Sequence, residues 1–102
     1  MEFKCCAKNS SEANNIASTH RFLRALADKN RLKILCLLRK GTKCACEIVP
    51  SVGISDKLAS HHLKQLKRLG LLTDERRGNF IYYSLNQKII GGYKQLFNKI
   101  IK

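Results

Sequence analysis

The chain has 102 residues, 44% of them apolar, which is enough for one packed globule and too many for general disorder. Lys and Arg number 20 against 7 Asp and Glu, a formal charge of +13 that favours a polyanionic partner, either nucleic acid or an anionic membrane surface. No apolar run approaches the roughly 18 residues of a spanning helix, and Met1-Glu2-Phe3-Lys4-Cys5-Cys6 lacks a secretion-signal core, so a cytoplasmic protein with no membrane partner is expected.

Residues 1–15 are polar and mixed, and read as a flexible arm or a frayed first turn ahead of a folded domain over 16–102. Over 16–27 the apolar positions Ile16, Phe22, Leu23 and Leu26 suit one helix face. Asp28 can cap a second helix, apolar almost all round at Leu32, Ile34, Leu35, Leu37 and Leu38, which predicts a central buried element closed by Gly41. Residues 43–52 form a short helical segment limited by Pro50 and Gly53. Ser55 is a good N-cap for a helix over 55–69, in which Ala59, Leu63, Leu66 and Leu69 make one inward stripe before Gly70 stops it.

Residues 71–73 and 80–83 are β-prone and flank 74–79, a hairpin with a basic tip. Over 89–101 the positions Ile89, Ile90, Tyr93, Leu96, Phe97, Ile100 and Ile101 recur at helical spacing. That face is wide for a terminal helix and predicts packing on a second copy of the chain. The order is mainly α: a winged helix-turn-helix of about five helices plus a two-stranded β-wing, as a homodimer.

B-DNA's major groove, about 12 Å wide, admits one helix with an apolar back and a short polar front. Leu63 and Leu66 supply the back of residues 55–69, and Ser55, Lys57, Ser60, His61 and Lys64 the front. Ser and His hydrogen-bond base edges, while Lys reaches guanine acceptors or phosphates. Arg76-Arg77-Gly78-Asn79 is a short cationic turn suited to a wing on the minor groove or backbone. A solvated charged face alone does not explain a Ser-capped helix and a basic hairpin in this order. Double-stranded DNA is the expected partner. No carboxylate pair, and no Cys–His constellation outside the DNA-facing helix, points to an enzyme.

Three stretches carry a family resemblance. Ala25-Leu26-Ala27-Asp28-Lys29-Asn30-Arg31-Leu32, within 22–35, resembles the opening helices of the arsenic-repressor (ArsR/SmtB) family of metal-sensing repressors. Ser60-His61-His62-Leu63-Lys64-Gln65-Leu66, within 59–72, resembles its recognition helix running into the first strand, and 76–85 its wing. The resemblance implies a homodimer through the first and last helices, bound to a palindromic operator and released by an inducer. It places DNA contacts on Ser55, Lys57, Ser60 and His61.

Five cysteines in a cytosolic chain suggest metal, redox or buried thiols in preference to disulfides. Cys44-Ala45-Cys46-Glu47 resembles the Cys-x-Cys-[Asp/Glu] segment of the family's thiolate-using members. Two residues so spaced cannot share one face of a regular helix, but at a helix start both can turn to one ion, where the N-terminus favours thiolate. Soft thiolates select Zn, Cd, Pb or trivalent As and Sb. Zinc takes four ligands and trivalent arsenic three, so Cys5 and Cys6 are candidates to complete the set. About ten residues of arm, at roughly 3.3 Å each, would reach some 30 Å.

N-terminal cysteines with Cys-x-Cys resemble the cadmium/lead-sensing branch. The chain departs from the arsenic branch at Val49, where a third cysteine often stands, and from the zinc branch at Gln87, Lys88, Gln95 and Asn98, which are poor metal ligands. Adjacent Cys5-Cys6 also differs from the more spaced N-terminal pair of the cadmium-sensing branch. Cys36 reads as a core thiol, His20 as a surface or cap residue, and His62 as half-buried. The expected function is a repressor released by a soft metal or metalloid ion, with no organic cofactor. The alternatives are a thiol-redox or persulfide-sensing repressor of the same fold, and a constitutive DNA-binding protein with a vestigial sensor site.

Overall fold

The computed structural model describes residues 10–101, and in it a carboxylate separates the first two helices. Helix α1 (Ser10–Leu26) ends just before Asp28 and α2 (Lys29–Leu38) begins just after it. Asp28 has extended backbone, and its side chain accepts from the N–H groups of Asn30 at 2.9 Å and Arg31 at 3.1 Å, two donors the helix start leaves orphaned. The bond from Arg31 is the chief reason its carboxyl titrates below the ordinary value. Of residues 1–15, read as a flexible arm or a frayed first turn, 10–15 belong to α1, and residues 1–9, including Cys5 and Cys6, lie outside the described residues.

Strand β1 (Lys43–Cys44) leads into α3 (Ala45–Val52), which Gly53 closes in the left-handed conformation at φ 79. Helix α4 (Asp56–Arg68), strands β2 (Leu72–Arg77) and β3 (Phe80–Leu85), and α5 (Gln87–Ile100) follow. The antiparallel sheet has the order β1-β3-β2, with Lys43 opposite Tyr83 and Leu72 opposite Leu85. The wing therefore gains a short third strand where 43–44 were expected to be helical. Its tip is also tighter than the expected loop over 74–79: the strands run on to Arg77 and Phe80, leaving Gly78 (φ 64) and Asn79 as a two-residue turn. Charges that read as loop are paired instead, Asp74 with Lys67 at 2.7 Å and Glu75 with Arg77 at 3.2 Å.

Ile34, Ile48, Leu66 and Leu71 are fully buried and join Phe22, Leu38, Leu63 and Leu72 in one core. Within α2 only Ile34 and Leu38 are buried, so it is not the buried-all-round helix expected. Leu32 is 49% exposed and Cys36 is exposed, which also removes Cys36 from the core. That side of α2 faces an open groove of about 360 Å³ shared with Phe22, Leu26 and Ile90. Phe22 stacks on Tyr93, with ring centroids 4.7 Å apart, and so seats α5 on α1. No residue of α5 is buried, despite its run of Ile, Leu and Phe. Among the described residues no helix is long and apolar enough to cross a membrane.

Candidate nucleic-acid interface and thiol site

Helix α4 starts where Ser55 Oγ accepts from Leu58 N–H at 3.1 Å. The inward stripe is as the spacing predicts, with Ala59, Leu63 and Leu66 buried and Leu69 half-buried. Ser55, Lys57, Ser60, His61 and Lys64 are all exposed on the remaining surface. Ser55 thus does two things: one lone pair caps the helix, and the hydroxyl stays at the surface.

Side-chain alternation separates the two wing arginines. Asp74 reaches Lys67 of α4, so Arg76, two residues on, shares the face turned to α4. Its Nε donates to the Gly78 carbonyl at 3.3 Å. Arg77 lies on the opposite face, bonded to Glu75 and placed 4.6 Å over the Tyr82 ring. The pair expected to act together is therefore split, with Arg77 held by two intramolecular partners.

His62 is 5% exposed, deeper than the half-burial its position suggests. Its Nδ1 accepts from Arg31 Nε at 3.1 Å, which puts the ring proton on Nε2, 3.9 Å from Asp28 Oδ1. The start of α2 is thereby joined to the middle of α4. Sequence reading missed this link, and no spacing rule signals a bond between residues 31 and 62. The Lys67–Asp74 bond was missed as well, because Asp74 read as loop.

Cys44 is 2% exposed and is the N-cap of α3. Its Sγ accepts from Cys46 N–H at 3.3 Å, and its own N–H donates to Glu47 Oε1 at 3.3 Å. Cys-x-Cys-Glu is a capping box with sulfur in place of oxygen. Cys46 is exposed and lines a cleft of about 450 Å³ whose other walls carry Ser60 and Leu63 of α4 and Tyr83 of β3.

The Cys44 thiol pushes the Cys46 thiol up, and Glu47 adds to the effect. The expectation that the helix start would favour thiolate is thus reversed at Cys46. Its amide is engaged by Cys44, and a carboxylate occupies the first turn. A cation bound by both sulfurs has to displace the thiol protons.

The donors fit a soft ion as a partial set. Among the described residues no three His, Cys, Asp or Glu side chains converge on a metal geometry. Any third ligand comes from elsewhere, and Cys5 and Cys6 lie outside the described residues. Because α1 begins at Ser10, only Ala7, Lys8 and Asn9 separate Cys6 from the helix.

The model of bacterial regulatory proteins of the arsR family matches residues 28–74, from the cap of α2 into the wing. The transcriptional repressor SdpR of Bacillus subtilis is 43% identical over 67 residues, covering 66% of this chain and 74% of that protein. A cadmium resistance transcriptional regulatory protein CadC homolog of Staphylococcus aureus is 34% identical over 94 residues, 91% of this chain and 75% of that one. Among solved structures, the homodimeric winged helix-turn-helix DNA-binding domain of a possible ArsR-family regulator from Mycobacterium bovis matches with a TM-score of 0.72 at 27% identity. The match covers 90% of this chain and 86% of that domain. These relatives are regulators and repressors, not enzymes. The chain belongs to the arsR family of bacterial regulatory proteins, as a DNA-binding transcriptional repressor with a winged helix-turn-helix fold.

Proposed function

We propose that the chain works in the cytoplasm as a homodimer that holds double-stranded operator DNA and releases it when a soft ion binds its thiols. Ser55, Lys57, Ser60, His61 and Lys64 of α4 contact the major groove, and Arg76 and Arg77 the adjacent backbone or minor groove. Cys44 and Cys46, completed by Cys5 or Cys6, take a Cd, Pb, Zn, As(III) or Sb(III) ion. The homodimeric M. bovis domain and the cadmium-resistance regulator from S. aureus support the assembly and the inducer class respectively.

The observation that carries the reading is the cleft shared by Cys46 and Ser60. Cys44 caps α3 and Cys46 stands against the recognition helix, so ligating this pair acts on the element that supports α4. A differential affinity of about 3 kcal/mol between bound and released forms amounts to roughly 150-fold in operator affinity. The cadmium-resistance relative favours ion binding over the thiol-redox alternative.

The test titrates Cd, Pb, Zn and arsenite while following thiolate-to-metal absorption and operator binding. Cys44→Ser/Cys46→Ser should lose both ion binding and release, Cys5→Ser/Cys6→Ser should weaken both, and Cys36→Ser should keep both. If the first double variant still releases DNA at wild-type ion concentrations, the site is elsewhere. Release by oxidant alone would favour the redox alternative, and indifference to ion and oxidant alike a constitutive binder.

A further inference from the structure

A hollow of about 330 Å³ on the flank of the molecule is walled by arginines. Arg21 and Arg24 come from α1, Arg31 from the first turn of α2, and Arg68 from the last turn of α4, with Gln65 and Leu69 between them. Among the described residues no carboxylate lines it. Among the described residues the salt bridges pair His62 with Asp28, Lys67 with Asp74 and Arg77 with Glu75, so none of these four guanidiniums is in one. Asp28, beside Arg31, is already committed to capping α2. Three helices thus hold like charges around one concavity, an arrangement that repels itself until an anion enters.

Guanidinium forks match phosphate oxygens in a bidentate way. The position of the hollow indicates which phosphates. Arg68 shares a helix face with Lys57, His61 and Lys64, at spacings i, i+4, i+7 and i+11, and all four are exposed. A basic strip therefore runs from the groove-facing front of α4 into the hollow. Arg31 also holds the His62 ring, which registers the arginine wall to α4.

We propose that this hollow is a phosphate-binding site that grips the operator's backbone outside the base pairs read by α4. The proposal rests on α4 being the recognition helix and adds to it a sequence-independent clamp built from α1, α2 and the end of α4. A free phosphate-bearing small molecule has the same chemistry, and the test separates the two.

The experiment compares the full chain with Arg21→Ala/Arg24→Ala on two operator duplexes, one trimmed to the bound half-sites and one extended by about one helical turn at each end. On the extended duplex the variant should lose tenfold or more in affinity. The slope of log affinity against log salt should fall by about 4, since the dimer loses two arginines from each copy and each lost phosphate contact accounts for roughly 0.9. On the trimmed duplex it should change little, and Arg21→Lys/Arg24→Lys should restore the slope. Arg68→Ala, which removes one guanidinium per copy from another helix, should lower the slope by about 2 and serves if the double variant does not fold.

An unchanged slope in these Ala variants, with Lys64→Ala still weakening binding, overturns the clamp and leaves the reading of α4 standing. If Ser60→Ala/His61→Ala also leaves binding unchanged, the reading of α4 falls as well. If inorganic pyrophosphate, titrated without DNA, binds the wild type and not Arg21→Ala/Arg24→Ala while DNA slopes are equal, the hollow serves a free ligand and the DNA assignment is overturned.

Discussion

Arg31 Nε and His62 Nδ1 lie 3.1 Å apart, one in the first turn of α2 and the other buried in the middle of α4. Removing Arg31 leaves a buried ring nitrogen without its donor, which costs about 1–3 kcal/mol. Arg31→Ala should therefore lower the stability read by urea denaturation by that amount. His62→Ala should cost at least as much, because it also opens a small cavity. The double variant should fall short of the sum of the two, and strict additivity would show that the bond carries no coupling.

Asp28 gives the stability a pH dependence of known sign. Its carboxyl titrates below its ordinary 3.8 because the folded chain supplies the Arg31 N–H. A depressed folded value means that the contribution is complete above the unfolded value and is lost as pH falls through the folded one. Asp28→Asn keeps a cap acceptor but removes the charge. The stability gap between wild type and Asp28→Asn should be level from about pH 5 upward and should close towards pH 3. A gap that widens on acidification would contradict the assignment.

The wing arginines should separate in binding assays. Arg76→Ala should weaken binding to operator and unrelated duplex alike. Arg77→Ala should cost less, because Arg77 is already held by Glu75 and the Tyr82 ring. Ser60→Ala and His61→Ala should instead narrow the difference between operator and unrelated sequence, if they address base edges as proposed. Equal, sequence-independent losses from all four would remove the division between reading and gripping.

Dimerisation should depend on surface that the single chain leaves open. Helix α5 has no buried residue, and Leu32 is 49% exposed beside the groove that contains Ile90. Ile90→Asp or Phe97→Asp should shift sedimentation from dimer to monomer and abolish operator binding together. Leu32→Asp should weaken the dimer only if the groove lies inside the interface. A wild-type chain that sediments as a folded monomer at micromolar concentration would dismiss the arrangement.

What the sequence discloses and what it hides divide along physical lines. Periodicity reported α4 faithfully, because its inward stripe of Ala59, Leu63 and Leu66 is a property of one helix. Asp28 and Ser55 were legible as caps because capping is local. Neither the ends of the hairpin nor the burial of α2 could be read so. Asp74 and Glu75 look like loop until their cationic partners are in place, and Leu32 and Cys36 look like core until α2 is seen to face an open groove. At the thiols, the spacing of Cys44 and Cys46 suggested a shared ligand but not that one sulfur caps the helix while the other stands exposed across from Ser60. Completion of the site by Cys5 or Cys6 belongs to the proposal, since both lie outside the described residues.

The Lys67–Asp74 bond, 2.7 Å long, ties the last turn of α4 to the wing's first strand. Asp74 holds the Lys67 ammonium above its ordinary titration range, so Lys67 stays charged across the neutral range. If helix and wing meet the duplex as proposed, they do so as the two jaws of a caliper whose opening this exposed pair biases without locking. The half-site spacing that leaves the pair intact should then be the one the protein prefers.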